Sequence, residues 1–195
     1  MTSGMQPGTS GMLGMSEFKP WEVYPAIWPT QAKFMSWVRG GIRLGLWKKH
    51  PVKLEFLKES IVQMVNTNPR SMKRFPKVNA VLCALCNQMV KSSDAEVDHI
   101  RGNHSLKSLD DLRKFTESMI IVRKSDLQIA CKPCHKIKSY SEREGISFEH
   151  ARAIKQAIEI CKTKQDKQFL IERGIKPASS AAGRRTQVED VLKEE

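Results

Sequence analysis

Two short cysteine pairs, Cys83-Ala-Leu-Cys86 and Cys131-Lys-Pro-Cys134, constrain this chain more than any other feature. A two-residue gap lets both sulfurs of a tight turn reach one metal ion, and two such turns supply four thiolates. Four thiolates close a tetrahedral shell and leave no open position, which is the structural rather than the catalytic arrangement of zinc. The pattern Cys-x2-Cys-x44-Cys-x2-Cys therefore has to close in space, clipping the segment that enters a hairpin to the helix that leaves it. Structural zinc contributes about 10–16 kcal/mol of apparent binding free energy, which matters for a small core. Cys161 is left over on a predicted helix and reads as a buried helix residue. One cysteine beyond two knuckles argues against a disulfide framework and for a reducing, intracellular compartment.

The residues between the knuckles carry reactive groups. Val78 to Leu82 reads as a strand entering the first knuckle, and Ala95 to Ile100 as a strand ending at Asp98-His99. Ser108 caps a short helix, with Asp111 three residues on and Leu109, Leu112 and Phe115 as its apolar side. Ile120 to Val122 reads as an extra strand. Leu127 to Ala130 is the return strand of a hairpin, and a helix begins near Pro133 carrying His135 and Lys138. A carboxylate and an imidazole, Asp98 and His135, suit a harder cation than zinc thiolate sites hold. An unperturbed imidazole has a pKa of about 6.5, so His99 can accept a proton near neutral pH. Neighbours on a strand point to opposite faces, so Asp98 and His99 belong at a strand end, with Ile100-Arg101-Gly102 as the exit.

The two knuckles, Asp98-His99-Ile100 and Cys134-His135-x-x-Lys138, in this order, resemble an HNH endonuclease of the ββα-metal type. The likeness covers about Val81 to Glu144, and Lys138 and Glu142 fall where such proteins carry a lysine and an acid. Trp37-Val38-Arg39-Gly40-Gly41 is similar, more distantly, to the leaders of phage-encoded HNH proteins. The resemblance implies a phosphodiester hydrolase acting on DNA. It makes Asp98 and His135 the ligands of a catalytic Mg²⁺ or Mn²⁺, and His99 the general base. Its middle position, which orients the base, falls on Asp126, where the family has asparagine. An aspartate there can accept a hydrogen bond from the loop or from an imidazole N–H. The products implied are a 5′-phosphate and a 3′-hydroxyl. The location implied is cytoplasmic, including that of a phage-infected bacterial host, with homing, restriction-like and genome-processing roles all open.

The flanks fit a polyanion partner. The net charge is +12, which favours phosphate neutralisation and counterion release. From Lys33 to Lys77 every charged residue is basic except Glu55 and Glu59. Pro29-Thr30 opens a helix to about Lys49, weakened at Gly40-Gly41. Pro51 opens another, with Leu54, Leu57, Ile61 and Val65 on one side. Arg39, Arg43, Lys48, Lys49, Lys53 and Lys138 are the expected DNA contacts, with the interleaved aromatics as core. Ser147 caps a further helix and Asp166 starts a last one, stopping at Gly174. Arg184-Arg185 reads as another phosphate contact. His104, five residues beyond His99, and His50, beside Lys48-Lys49, are further candidates at the phosphate. No apolar run approaches the ~20 residues of a membrane span, and no secretory signal is visible.

The expected organisation is α+β. A disordered leader (1–18) precedes a basic helical DNA-contact region (19–77) and the ββα-metal nuclease core with its structural zinc (78–146). A helical extension (147–175) and a flexible tail (176–195) follow. The rival function is a non-catalytic zinc-containing module that binds nucleic acid without cutting it.

Overall fold

The structure, a computed structural model, describes residues 18–102 and 105–194. The expected leader, apart from Phe18, and His104 lie outside the described residues. The chain begins with α1 (Pro20–Val23), α2 (Gln31–Ile42), one turn of π-helix (Arg43–Trp47) and α3 (Pro51–Ser60). Next come β1 (Val62–Val65), β2 (Lys77–Leu82), β3 (Met89–Lys91) and β4 (Ala95–His99). Then follow α4 (Leu112–Ile120), β5 (Leu127–Cys131), α5 (Lys132–Glu144), α6 (Phe148–Lys162), α7 (Asp166–Glu172) and α8 (Ala181–Glu194). The class is mixed α+β with small antiparallel sheets, one ordered β1-β2-β3 and one pairing β4 with β5. Among the described residues no helix is long and apolar enough to cross a membrane.

Two compact units emerge. The first joins residues 18–48 to residues 105–120. Met35, Leu106, Phe115 and Met119 are its buried centre, and Trp21, Phe34, Val38, Ile42, Trp47 and Leu112 pack around them. The Thr30 hydroxyl accepts the Lys33 N–H and caps α2. The Asp111 carboxylate takes the N–H groups of Lys107 and Ser108, completing the expected capping box.

The second unit holds residues 49–102 and 121–194. In its β4–β5 ladder, Asp98 faces Gln128 and His99 faces Leu127. The α5 helix follows β5 without a break and stops at Gly145, whose φ of 67° suits a glycine C-cap. Ser147 then caps α6 through the His150 N–H, as expected from the sequence.

Four expectations change. The second helix was expected to run past Ile61 to Val65, yet α3 ends at Ser60 and Val62–Val65 is strand β1. The Ser60 hydroxyl donates to the Phe56 carbonyl, closing the last turn, and the β-branched residues beyond pair with β2. The strand expected over Ile120–Val122 does not form: Ile120 ends α4, and Ile121 is 73% exposed beyond it. The flexible tail of residues 176–195 instead carries α8, whose Val188 is fully buried with Ala157 and Leu170. Arg184, expected at a phosphate, places Nε 2.6 Å from Asp166 Oδ2 and donates to the carbonyls of Ala178 and Ser179. Small residues on α6, Ala153 and Ala157, are buried and leave room for a helix to approach, which is why this segment has something to pack against.

Candidate functional site

The first knuckle begins where β2 ends. The Cys83 carbonyl accepts the Asn87 N–H at 2.9 Å and the Cys83 N–H donates to the Gln88 carbonyl at 3.0 Å. Asn87 takes the left-handed conformation, φ 53°, which asparagine tolerates better than most residues. The Ala84 N–H donates to the Ile129 carbonyl at 2.8 Å, tying this turn to β5. The second knuckle spans the end of β5 and the first turn of α5, with Pro133 at a position where no helical N–H is needed.

Together the knuckles bring the ligand atoms of Cys83, Cys86, Cys131 and Cys134 within 4.8 Å of one another. A tetrahedral zinc with bonds of about 2.3 Å puts its sulfurs about 3.8 Å apart, so the four fit one ion. Among the described residues no other group of three or more such ligands converges so closely. Burial pushes the Cys83 thiol up, but backbone N–H groups of Cys131, Leu85 and Cys86 outweigh it and bring the thiol down to about 7. Burial pushes Cys131 and Cys134 up, and the Cys83 sulfur adds to the rise in both. Crowded thiols that cannot all ionise alone are what a divalent ion would relieve. Four clustered cysteines able to hold a metal ion such as zinc are thus a property of the fold.

Beside them, β4 and α5 meet in an acid–histidine cluster. The His135 Nδ1 lies 2.8 Å from Glu96 Oε2, and its Nε2 lies 3.6 Å from Asp98 Oδ1. Lys138, one turn further along α5, sets Nζ 2.8 Å from Asp98 Oδ2 and also pairs with Glu142. The Asp98 contact lacks hydrogen-bond geometry, leaving Oδ2 buried without a bonded donor. Burial raises the Asp98 carboxyl, but His135 and Lys138 together hold it at about 2. The Asp98 carboxylate beside Nε2 raises His135 above its ordinary value, against the opposing effect of burial. The Asp98 carboxylate is therefore already compensated, with a side-chain ammonium at one oxygen.

His99, the terminal residue of β4, is 8% exposed, and its carbonyl accepts from Gln128 Nε2 at 3.3 Å. Strand alternation puts it on the face of buried Val97, opposite Glu96 and Asp98. Asp126 is exposed. Its carbonyl accepts the Ile100 N–H at 2.8 Å, and its carboxylate accepts the Arg123 N–H at 2.8 Å. Its side chain thus braces the loop that enters β5.

The expected DNA contacts divide. Arg39 donates to the Leu106 carbonyl at 2.6 Å, and the Arg43 guanidinium lies 5.9 Å from the Phe115 ring centre, so both arginines hold residues 105–120. Lys138 is buried between two carboxylates and is not presented to a phosphate. Lys48 and Lys49 are exposed and Lys53 is half-buried.

Two residues of the cluster were missed in the sequence. Glu96 could have been found, because it lies two residues before Asp98 and therefore on the same strand face. Gly102 gives no such signal. The Glu142 carboxylate occupies the place where a Cβ would stand, so a larger residue at 102 would displace the partner of Lys138. Comparison of the chain with family models, with curated proteins and with solved structures gave no match.

Proposed function

We propose that the chain is a metal-dependent endonuclease of the HNH, ββα-metal type that hydrolyses phosphodiester bonds of DNA, duplex DNA in the first instance. The observation that carries this reading is the convergence of Asp98 Oδ1 and His135 Nε2, 3.6 Å apart, with Glu96 on the other ring nitrogen. A carboxylate on Nδ1 fixes the proton there and turns the Nε2 lone pair toward Asp98, as outer carboxylates do for metal-binding histidines. Adjacent ligands of an octahedral cation with bonds of about 2.1 Å stand about 3 Å apart, so Asp98 and His135 would have to close by about 0.6 Å to hold Mg²⁺ or Mn²⁺. Asp98 and His135 would hold that cation. Bound there, it supplies Lewis-acid stabilisation of charge on the phosphate and the leaving 3′ oxygen.

His99 takes the proton of the attacking water at an imidazole nitrogen. Asp126 keeps the loop between α4 and β5 in place through the Arg123 N–H. The four cysteines hold a structural zinc that clips β2 to the start of α5, and the site is read as working inside the cell. The products are a 5′-phosphate and a 3′-hydroxyl.

Two observations favour the rival. Lys138 already neutralises Asp98, and His99 is nearly buried, as in a zinc-containing binding module with no cleavage function. Supercoiled plasmid incubated with zinc-replete protein, with and without Mn²⁺, separates the two. Metal-dependent nicking by wild type is expected. His99→Ala should lose about 10²–10⁴ in rate while keeping DNA affinity. Intact plasmid at saturating Mn²⁺ would leave only the binding module.

A further inference from the structure

Between Glu59 and Asp94 the chain has no acidic residue, yet it carries Arg70, Lys73, Arg74, Lys77 and Lys91. This stretch folds into the β1-β2-β3 sheet and the long β1–β2 connection, residues 66–76. The connection is built rather than loose. Buried Asn66 donates from Nδ2 to the Ser71 hydroxyl at 3.1 Å and to the Phe75 carbonyl at 2.8 Å, and its Oδ1 accepts the Asn68 N–H at 3.0 Å. Two turns follow, closed by Met72 N–H to the Asn68 carbonyl and Phe75 N–H to the Ser71 carbonyl, both 2.8 Å. The Asn66 N–H closes the base of the loop on the Pro76 carbonyl.

A cavity of about 410 Å³ opens where this loop meets β2 and the end of β3. It forms because β3 pairs with β2 only over Ala80–Leu82, so the backbone of residues 77–79 has β1 on one side and no strand on the other. Lys77, Lys91, Ser71, Ser92, Ser93 and Asn79 line it, two ammonium groups among hydroxyl and amide donors, and no carboxylate. Beside it the Arg74 guanidinium lies 5.2 Å from the Phe75 ring centre, and that ring is 53% exposed. Neither Lys77 nor Lys91 has a carboxylate partner among the described residues, in contrast to Lys124 and Lys138.

Uncompensated ammonium groups with hydroxyl donors at a concave surface suit a phosphate. An exposed ring next to an arginine suits a base or sugar face. We propose that the β1–β2 hairpin and this cavity are the chain's backbone-docking surface for nucleic acid, with a phosphate seated between Lys77 and Lys91. The inference rests on the reading of DNA as substrate. It moves the main contact away from Arg39 and Arg43, whose guanidinium groups are engaged within their own unit.

The test uses the full chain, zinc-replete and without added Mg²⁺ or Mn²⁺, and a fluorescent duplex titrated over a series of salt concentrations. Lys77→Gln with Lys91→Gln should weaken binding to unrelated sequences alike and flatten the slope of log affinity against log salt by about 1.8, for two contacts. Arg70→Gln with Lys73→Gln, on the solvent side of the loop, should act in the same direction. It carries the test alone should the first pair lose zinc or melt early. Wild-type slopes in both variants would overturn this inference and leave the nuclease reading standing. Absence of DNA binding by wild type would remove both. Loss of anionic-vesicle binding with DNA binding unchanged would also overturn it, assigning the surface to a membrane.

Discussion

Glu96 and Asp98 stand two residues apart on β4, and both carboxylates reach the ring of His135, one at each nitrogen. Their roles differ by position: Asp98 is buried deeper and also meets Lys138, whereas Glu96 touches only the outer nitrogen. If Asp98 and His135 hold the proposed cation, Glu96→Ala should weaken its binding by about 10–100-fold, the usual effect of losing such an outer partner. Glu96→Gln keeps an acceptor oxygen for the Nδ1 proton and should recover part of the loss. Manganese binding followed by its paramagnetic resonance, with zinc content as a control, reads this directly. Equal affinity in the alanine variant would mean that Glu96 is only a surface ion-pair partner. The cysteine cluster and the approach of Asp98 to His135 were legible in the sequence because spacing and residue type are local signals. The destination of Lys138 was not, because a long side chain on a helix can reach solvent or a neighbouring strand, and only the β4–α5 packing decides which. Arg39 and Arg43 misled for the same reason: their one-turn spacing was legible, but the carbonyl and ring that hold them lie on residues 105–120.

Helix α3 and strand β1 show where local pattern runs out. Ile61 and Val65 are four apart, a spacing that keeps two residues on one side of a helix and also on one face of a strand. Pairing with β2 decides in favour of the strand, and that partner is distant in sequence. Helix α8 was missed because its apolar positions are sparse and its partners, Ala157 and Leu170, belong to α6 and α7. A chain ending at Lys176 should lose the cover over Leu170 and melt earlier. Val188→Asp, which would bury a charge, should do the same in the full chain. The Asp166–Arg184 pair adds a pH dependence. The Arg184 hydrogen bond holds the Asp166 carboxyl below its ordinary value, so the ionised form is favoured in the folded chain. Its contribution is complete above about pH 4, the unfolded value, and is lost as pH falls through the lower folded value. Arg184→Gln should flatten that limb of the acid-unfolding profile. An acid limb identical to wild type would show that the pair is neutral for stability.

At the scale of the molecule, the clustered cysteines and the tryptophans fall in different units. All four tryptophans, Trp21, Trp28, Trp37 and Trp47, belong to residues 18–48, whereas the four knuckle cysteines belong to the second unit. The core of the first unit, Met35, Leu106, Phe115 and Met119, includes no cysteine and no residue of the acid–histidine cluster. The second unit depends on the knuckles, because they join the end of β2 to β5 and the start of α5. If zinc fills the four-cysteine cluster, stripping it with a chelator should therefore act in two steps. Loss of metal is expected to unfold the β4–β5–α5 region first, seen as faster amide exchange at Val97, Ile129 and Ala130. Tryptophan emission should hold until a higher temperature or denaturant concentration, because Trp28, Phe34 and Trp37 keep their mutual packing. Cys83→Ser should reproduce the first step without a chelator. Emission that shifts together with metal release would show the two units to be one cooperative system.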